Sequence, residues 1–120
     1  MVVAESQGTL DNLHSYFTRV GVTSTGAREL GDVSMVPRDA TSLVLFPDAF
    51  DYALVEGFVL ALRRARLELR ILLVSSAPQH LAAAVAPDGI SVPPLVLPRP
   101  AFGWTILDAI RAGTPEPESD

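Results

Sequence analysis

The 120-residue chain contains no cysteine. That excludes disulfides, thiolate nucleophiles and cysteine-based metal sites. Lysine is absent as well. All nine basic residues are arginine, so no chemistry here can use a lysine amine. Positive charge is in deficit, with a formal net charge of −5. A nucleic-acid partner would want a basic stripe, and this balance argues against one. Long apolar runs are missing too; the longest fall far short of the ~20 residues that a membrane-spanning helix needs. No basic segment followed by an apolar one opens the chain, so no secretory signal is expected and a cytoplasmic location is the default. No glycine-rich phosphate loop follows the first apolar run; Gln7-Gly8 alone is too little for a nucleotide site. His14 and His80 stand far apart without metal-ligand spacing, and both are expected on the surface.

What is present is a large apolar fraction, 48% of the residues. A chain of this length folds as one domain and buries roughly two-thirds of its unfolded surface. The domain is expected over residues 1–113, followed by a proline-containing acidic tail, 114–120, read as a disordered end or the start of a linker.

Short apolar runs alternate with helical patterns. Strands are expected at Val2–Glu5, Val22–Thr25, Leu43–Phe46, Arg70–Val74 and Leu95–Leu97. Thr9 is placed as the N-cap of a first helix carrying Leu10, Leu13, Phe17 and Val20, and Gly21 stands where a helix C′ glycine belongs. Ala27–Leu30 opens a helix that Gly31 and Pro37 keep short. The strongest helix runs from Tyr52 to about Arg66, with Leu54, Phe58, Ala61, Leu62 and Ala65 assigned to its buried face. Arg63, Arg64 and Arg66 in its last turns read as a solvated, dipole-compensating end. Two more helices are expected, from Pro78 to Val85 and from about Gly103 to Ala112 with Leu107 and Ile110 facing inward.

Unalternated strand runs separated by helices imply a parallel sheet covered on both faces. Right-handed crossovers leave few topologies. The expected fold is α/β, a flavodoxin-like doubly wound five-stranded parallel sheet in the order 2-1-3-4-5, with three αβα layers. In such folds ligands and chemistry gather at the carboxyl ends of the strands. Here those ends carry Glu5 and Ser6, Pro47 and Asp48, Ser75 and Ser76, and Arg99-Pro100.

In the order and spacing of these strand ends the chain resembles a bacterial response-regulator receiver domain, of the degenerate, pseudo-receiver type. The resemblance covers about residues 2–112. It implies a pocket in which an acidic pair holds Mg²⁺, an aspartate accepts a phosphoryl group, a hydroxyl senses it and a Lys-Pro completes the charge. Laid on this sequence, Glu5 and Ser6 take the places of the acidic pair, and only one carboxylate survives. Pro47 stands where the acceptor belongs, with Asp48 one residue late. Ser75 matches the switch hydroxyl, and Arg99-Pro100 replaces Lys-Pro with a planar fork in place of a compact ammonium.

Each residue also has a plainer reading. Glu5 is either a residual cation ligand or a loop carboxylate, and it is a candidate ion-pair partner for Arg99 across the sheet edge. Asp48 is either a displaced phosphoacceptor or an N-cap or turn residue ahead of the helix at Tyr52. Trp104, with Val96 and Phe102, is a candidate partner surface; for Trp104 the plainer reading is packing beneath the last helix beside Leu107.

The resulting expectation is a non-catalytic signalling domain that contacts a protein partner, other domains of a larger signalling protein or a second copy of itself, without phosphorylation and without a cofactor. The alternative is a working receiver phosphorylated on Asp48, with Mg²⁺ held by Glu5 and Asp48. An unrelated small α/β enzyme or nucleotide binder is the third class.

Overall fold

Side chains along a strand point alternately to the two faces of its sheet, so a doubly covered sheet needs apolar residues at every position. The computed structural model describes residues 1–99 and 101–112. In it, Val3, Leu43, Leu45, Ile71 and Leu73 fill one face, while Val2, Val44, Leu72 and Val74 fill the other. Pro100 and the tail 114–120, on which two of the expectations above rest, lie outside the described residues.

The strands are β1 (Val2–Val3), β2 (Gly26–Ala27), β3 (Ser42–Leu45), β4 (Arg70–Val74) and β5 (Leu95–Leu97). All pairings are parallel, and the strand order is β2-β1-β3-β4-β5. The helices are α1 (Gln7–Arg19), α2 (Tyr52–Ala65), α3 (Ala82–Val85) and α4 (Gly103–Ala112). α1 and α4 cover the face carrying Val2, Val44, Leu72 and Val74; Leu10, Leu13, Phe17, Ile106 and Leu107 supply the contact. α2 and α3 cover the opposite face through Val55, Phe58, Val59, Leu62 and Ala84. The expected α/β fold and strand order are therefore present.

The local corrections have local causes. The cap of α1 is Ser6, whose hydroxyl accepts the Thr9 amide at 3.3 Å, so the helix starts before Thr9. Gly21 does follow α1, with φ +85°. β2 falls at Gly26–Ala27, after the run Val22–Thr25. Its register pairs Val2 with Gly26, so Val22–Ser24 lie below the start of β1 with no β1 residue facing them. Gly26 is also where α1 comes close, for a Cβ there would sit 3.3 Å from Leu10 Cδ2. No helix forms over Ala27–Leu30; the β2–β3 crossover contains only a 3₁₀ turn at Val33–Met35.

α2 is rotated relative to the sequence reading. Asp51 caps it by accepting the Ala53 and Leu54 amides. Its buried stripe is Val55, Phe58, Val59 and Leu62, the i, i+3, i+4, i+7 positions of one helix face. Leu54 is 67% exposed, and Ala61 and Ala65 also face out. Arg63 continues the buried stripe instead of ending a solvated turn. It donates to the Ala84 and Ala86 carbonyls at 2.9 and 2.8 Å and to Ser91 Oγ at 2.9 Å, and pairs with Asp88 at 3.5 Å. Arg66 holds the other crossover, donating to the carbonyls of Pro37, Arg38 and Ala40.

Both outer strands are short. β2 has two residues, and β5 has three, bracketed by Pro93, Pro94 and Pro98.

Candidate functional site

β3, β4 and β5 run parallel and in step, with Leu45 opposite Leu73 and Val74 opposite Leu97. Their carboxyl ends therefore open on the same edge of the sheet. Beyond β3 the chain enters a 3₁₀ turn at Pro47–Ala49, with Pro47 buried as its first residue. A proline is suited to that place, since its fixed φ fits the turn and its missing amide is not needed there. The turn aims Asp48 across the edge toward β4 and β5.

The Asp48 carboxylate is enclosed by donors. Oδ1 accepts from Ser75 Oγ at 2.6 Å and from the Tyr52 hydroxyl at 2.9 Å. Oδ2 accepts from the Ser76 amide and the Ser76 hydroxyl, each at 2.9 Å, and pairs with Arg99 Nη1 at 3.4 Å. The Asp48 side chain is only 14% exposed. Ser75 is fully buried, and its hydroxyl also accepts the Ala77 amide at 3.0 Å. With that acceptor position taken, its proton is directed at Asp48.

These bonds set the electrostatics. Burial pushes the Asp48 carboxyl upward. The bonds from Ser75, from the Ser76 amide and hydroxyl, and from Tyr52 outweigh it and hold the group well below the usual carboxylate range. The same bond to Asp48, with burial behind it, raises the Tyr52 hydroxyl. His80 stacks on Tyr52 with ring centroids 4.7 Å apart, which steadies the phenol over the carboxylate.

A carboxylate offers about four lone-pair positions, and here five donor groups compete for them. Such a group is anionic and held in place, and it becomes a nucleophile only after several of these bonds break.

Asp48, Ser75 and Arg99 are thus brought together as the strand-end reading anticipated, while the N-terminal pair is not. Ser6 is spent as the α1 cap. Glu5 is exposed, and its backbone carbonyl accepts from Arg28 Nε at 2.9 Å. Among the described residues no ion pair joins Glu5 to Arg99, which pairs with Asp48 instead. No group of three or more His, Asp or Glu side chains suited to a metal ion occurs among the described residues. Asp48 lies in the 3₁₀ turn ahead of α2, and the N-cap of that helix is Asp51.

Searches of protein families, of curated proteins and of solved structures each find no match to this chain.

Two of its members were not singled out as donors from the sequence, Tyr52 and the Ser76 backbone. The signal for Tyr52 was its place four residues after Asp48, one turn onward at the start of a helix. On the chain that leaves β5, Phe102 stands just before α4 and Trp104 in its first turn. Their rings stack at 4.7 Å and 6°, and they are 52% and 56% exposed. Val96 is half-buried on the opposite face of the sheet, against the α2 side of the core. His14 is exposed and bonds Ser24 Oγ at 2.9 Å.

Proposed function

We propose that this domain is a non-catalytic signalling module of the receiver type, acting through protein–protein contact in a conformation that phosphorylation does not set. One observation carries the reading: the Asp48 carboxylate is already engaged by Ser75, Ser76, Tyr52 and Arg99. In a working receiver the strand-end hydroxyl and the basic residue would respond to an incoming phosphoryl group. Here both already bond a carboxylate of the chain itself. The arrangement supports a permanently closed site, with the loops that bear Ser75 and Arg99 tied to the 3₁₀ turn of Asp48. The exposed Phe102–Trp104 stack at the start of α4 is the natural contact surface, since paired aromatic faces supply much apolar area at little entropic cost. The partner would be another protein, a further domain of a longer chain or a second copy, in the cytoplasm. Among the described residues no helix is long and apolar enough to cross a membrane.

The test is incubation with a small acyl phosphate and Mg²⁺, followed by intact-mass measurement and peptide mapping. No phosphoryl adduct on Asp48 is the expected result. A hydroxylamine-labile adduct on Asp48 overturns the reading and establishes the alternative, a receiver that takes phosphate there.

A further inference from the structure

We propose that a cleft at the amino edge of the sheet, opposite the edge that carries Asp48, binds a small zwitterion with an apolar body, of the class of free leucine or phenylalanine. The inference goes beyond the closed-site reading and shares no residue with it.

The cleft lies between the segments that lead into β2 and β3 and the last turns of α4, and its volume is about 380 Å³. That is within the range of small-ligand pockets and many times the room of a water molecule. Its floor is apolar. Phe17 and Val44 are buried at the bottom, and Val22 and Ile110 are half-buried above them. Water is a poor partner for such a floor, so an apolar group that displaces it gains free energy.

The walls are held in place from outside the cleft. The Val22 amide donates to the Phe17 carbonyl at 2.7 Å, which ties the β2 lead-in to the end of α1. Arg66 donates to the Pro37 and Ala40 carbonyls at 3.2 and 2.8 Å, which fixes the β3 lead-in from the end of α2. The Ala40 amide closes a turn on the Pro37 carbonyl at 3.1 Å. A cleft braced in this way is formed before a ligand arrives, and little ordering entropy opposes binding.

Charge selects the ligand class. Asp39 and Arg111 stand on the rim, one on the β3 lead-in and the other on α4. Both are exposed, and among the described residues neither has an ion-pair partner. The Met1 ammonium beside them is already bonded to the Ser42 carbonyl at 3.0 Å. A simple anion would satisfy Arg111 and meet repulsion from Asp39; a simple cation would do the reverse. A zwitterion answers both, with its carboxylate on the guanidinium and its ammonium on the Asp39 carboxylate. The Thr23, Thr41 and Ser42 hydroxyls on the same rim can meet its remaining protons and lone pairs. The floor then takes its apolar side chain.

The experiment is an amide NMR titration of the full chain with L-leucine and L-phenylalanine. Three probes that each lack one feature run beside them: isocaproate without the ammonium, isoamylamine without the carboxylate, and glycine without the apolar body. The expected result is saturable shifts at the Thr23, Ser24, Thr41 and Ser42 amides with the two amino acids, at a Kd on the order of 1 mM or tighter. Each incomplete probe should bind roughly fivefold more weakly, or worse. Arg111→Ala and Asp39→Ala change exposed residues, and both should unfold at the wild-type midpoint. Each should weaken L-leucine roughly fivefold. Asp39→Ala should also bring isocaproate level with L-leucine, which a merely structural effect would not do. The absence of saturation up to about 10 mM overturns the proposal. So do shifts that map outside the cleft, glycine binding as tightly as leucine, or variants that bind like the wild type. Phosphorylation of Asp48 would sink the signalling reading and leave this cleft untouched, so the two fail separately.

Discussion

Asp48→Asn keeps the shape of the side chain and removes its charge, which makes it the sharpest probe of the enclosed carboxylate. One amide oxygen can still accept from Ser75 and Tyr52. The amide nitrogen then occupies the place of Oδ2 and faces three donors: the Ser76 amide, the Ser76 hydroxyl and Arg99. Arg99 is 48% exposed, so its loss counts for little, ~0.5 kcal/mol at most. The Ser76 hydroxyl can turn to water. The donor-to-donor clash at the Ser76 amide and the weakened Ser75 bond remain, at ~1–1.5 kcal/mol each. The variant should therefore lose about 2–3 kcal/mol at neutral pH, on the order of 10 °C in midpoint for a domain of this size. The pH dependence gives a second handle. The folded carboxyl lies below its ordinary value of ~3.9. A group depressed in this way contributes stability that is fully present above the unfolded pKa and is lost as pH falls through the folded one. Urea unfolding followed by far-UV circular dichroism should show the wild-type advantage intact at about pH 6, shrinking below about pH 4. Other depressed carboxyls, such as Asp88 at about 2, are common to both proteins and cancel in the difference. A gap under ~0.5 kcal/mol at pH 7, or one unchanged down to pH 3, refutes the account of the site.

Arg63→Ala should cost ~3 kcal/mol in chemical unfolding, because it strands the Ala84 and Ala86 carbonyls and empties the space of a side chain that is 3% exposed, while the Ser91 hydroxyl keeps its bond to Asp88. Arg63→Lys should recover little of this, since one ammonium cannot replace a fork that reaches three acceptors. Gly103→Ala should cost ~1–3 kcal/mol, because its Cβ would lie 2.6 Å from Tyr16 Cδ2 where α4 meets α1; the loss should shrink in a Tyr16→Ala background, and a double-mutant cycle measures it. Trp104→Ala should change stability by less than ~1 kcal/mol, as expected of an exposed ring, and a larger loss in thermal unfolding would place Trp104 in the fold instead of on its surface.

The sheet was legible because its central strands are continuous apolar runs, and no helix of this length could bury them on all sides. Leu43–Leu45 and Ile71–Val74 point to both faces, so they could only be interior parallel strands. β2 was displaced because strand propensity in Val22–Thr25 lost to register: pairing is possible only where β1 has residues to offer. The face of α2 was misphased because Leu54 and the alanines at 61 and 65 mimic a stripe one residue out of step, and Arg63 hides its role behind its charge. A buried arginine declares itself only when the carbonyls of a distant loop are seen to meet it. The strand-end cluster was half legible. Topology alone brought Asp48, Ser75 and Arg99 to one edge, but which acid Arg99 would meet depended on the 3₁₀ turn after β3. That turn carries Asp48 forward to the β4 and β5 ends, and the cap at Ser6 leaves Glu5 in solvent.

The short outer strands set a rule for how copies of this domain can meet. An open sheet edge normally offers a row of unpaired amides and carbonyls on which another chain can grow. Here one border is two residues long, and the other is fenced by prolines that can donate nothing to a ladder. Backbone templating is thus denied on both sides. Any assembly has to be written in side chains, which are specific and can be changed one at a time. A crowded solution of this protein should therefore resist fibrous growth even when its aromatic surface draws molecules together.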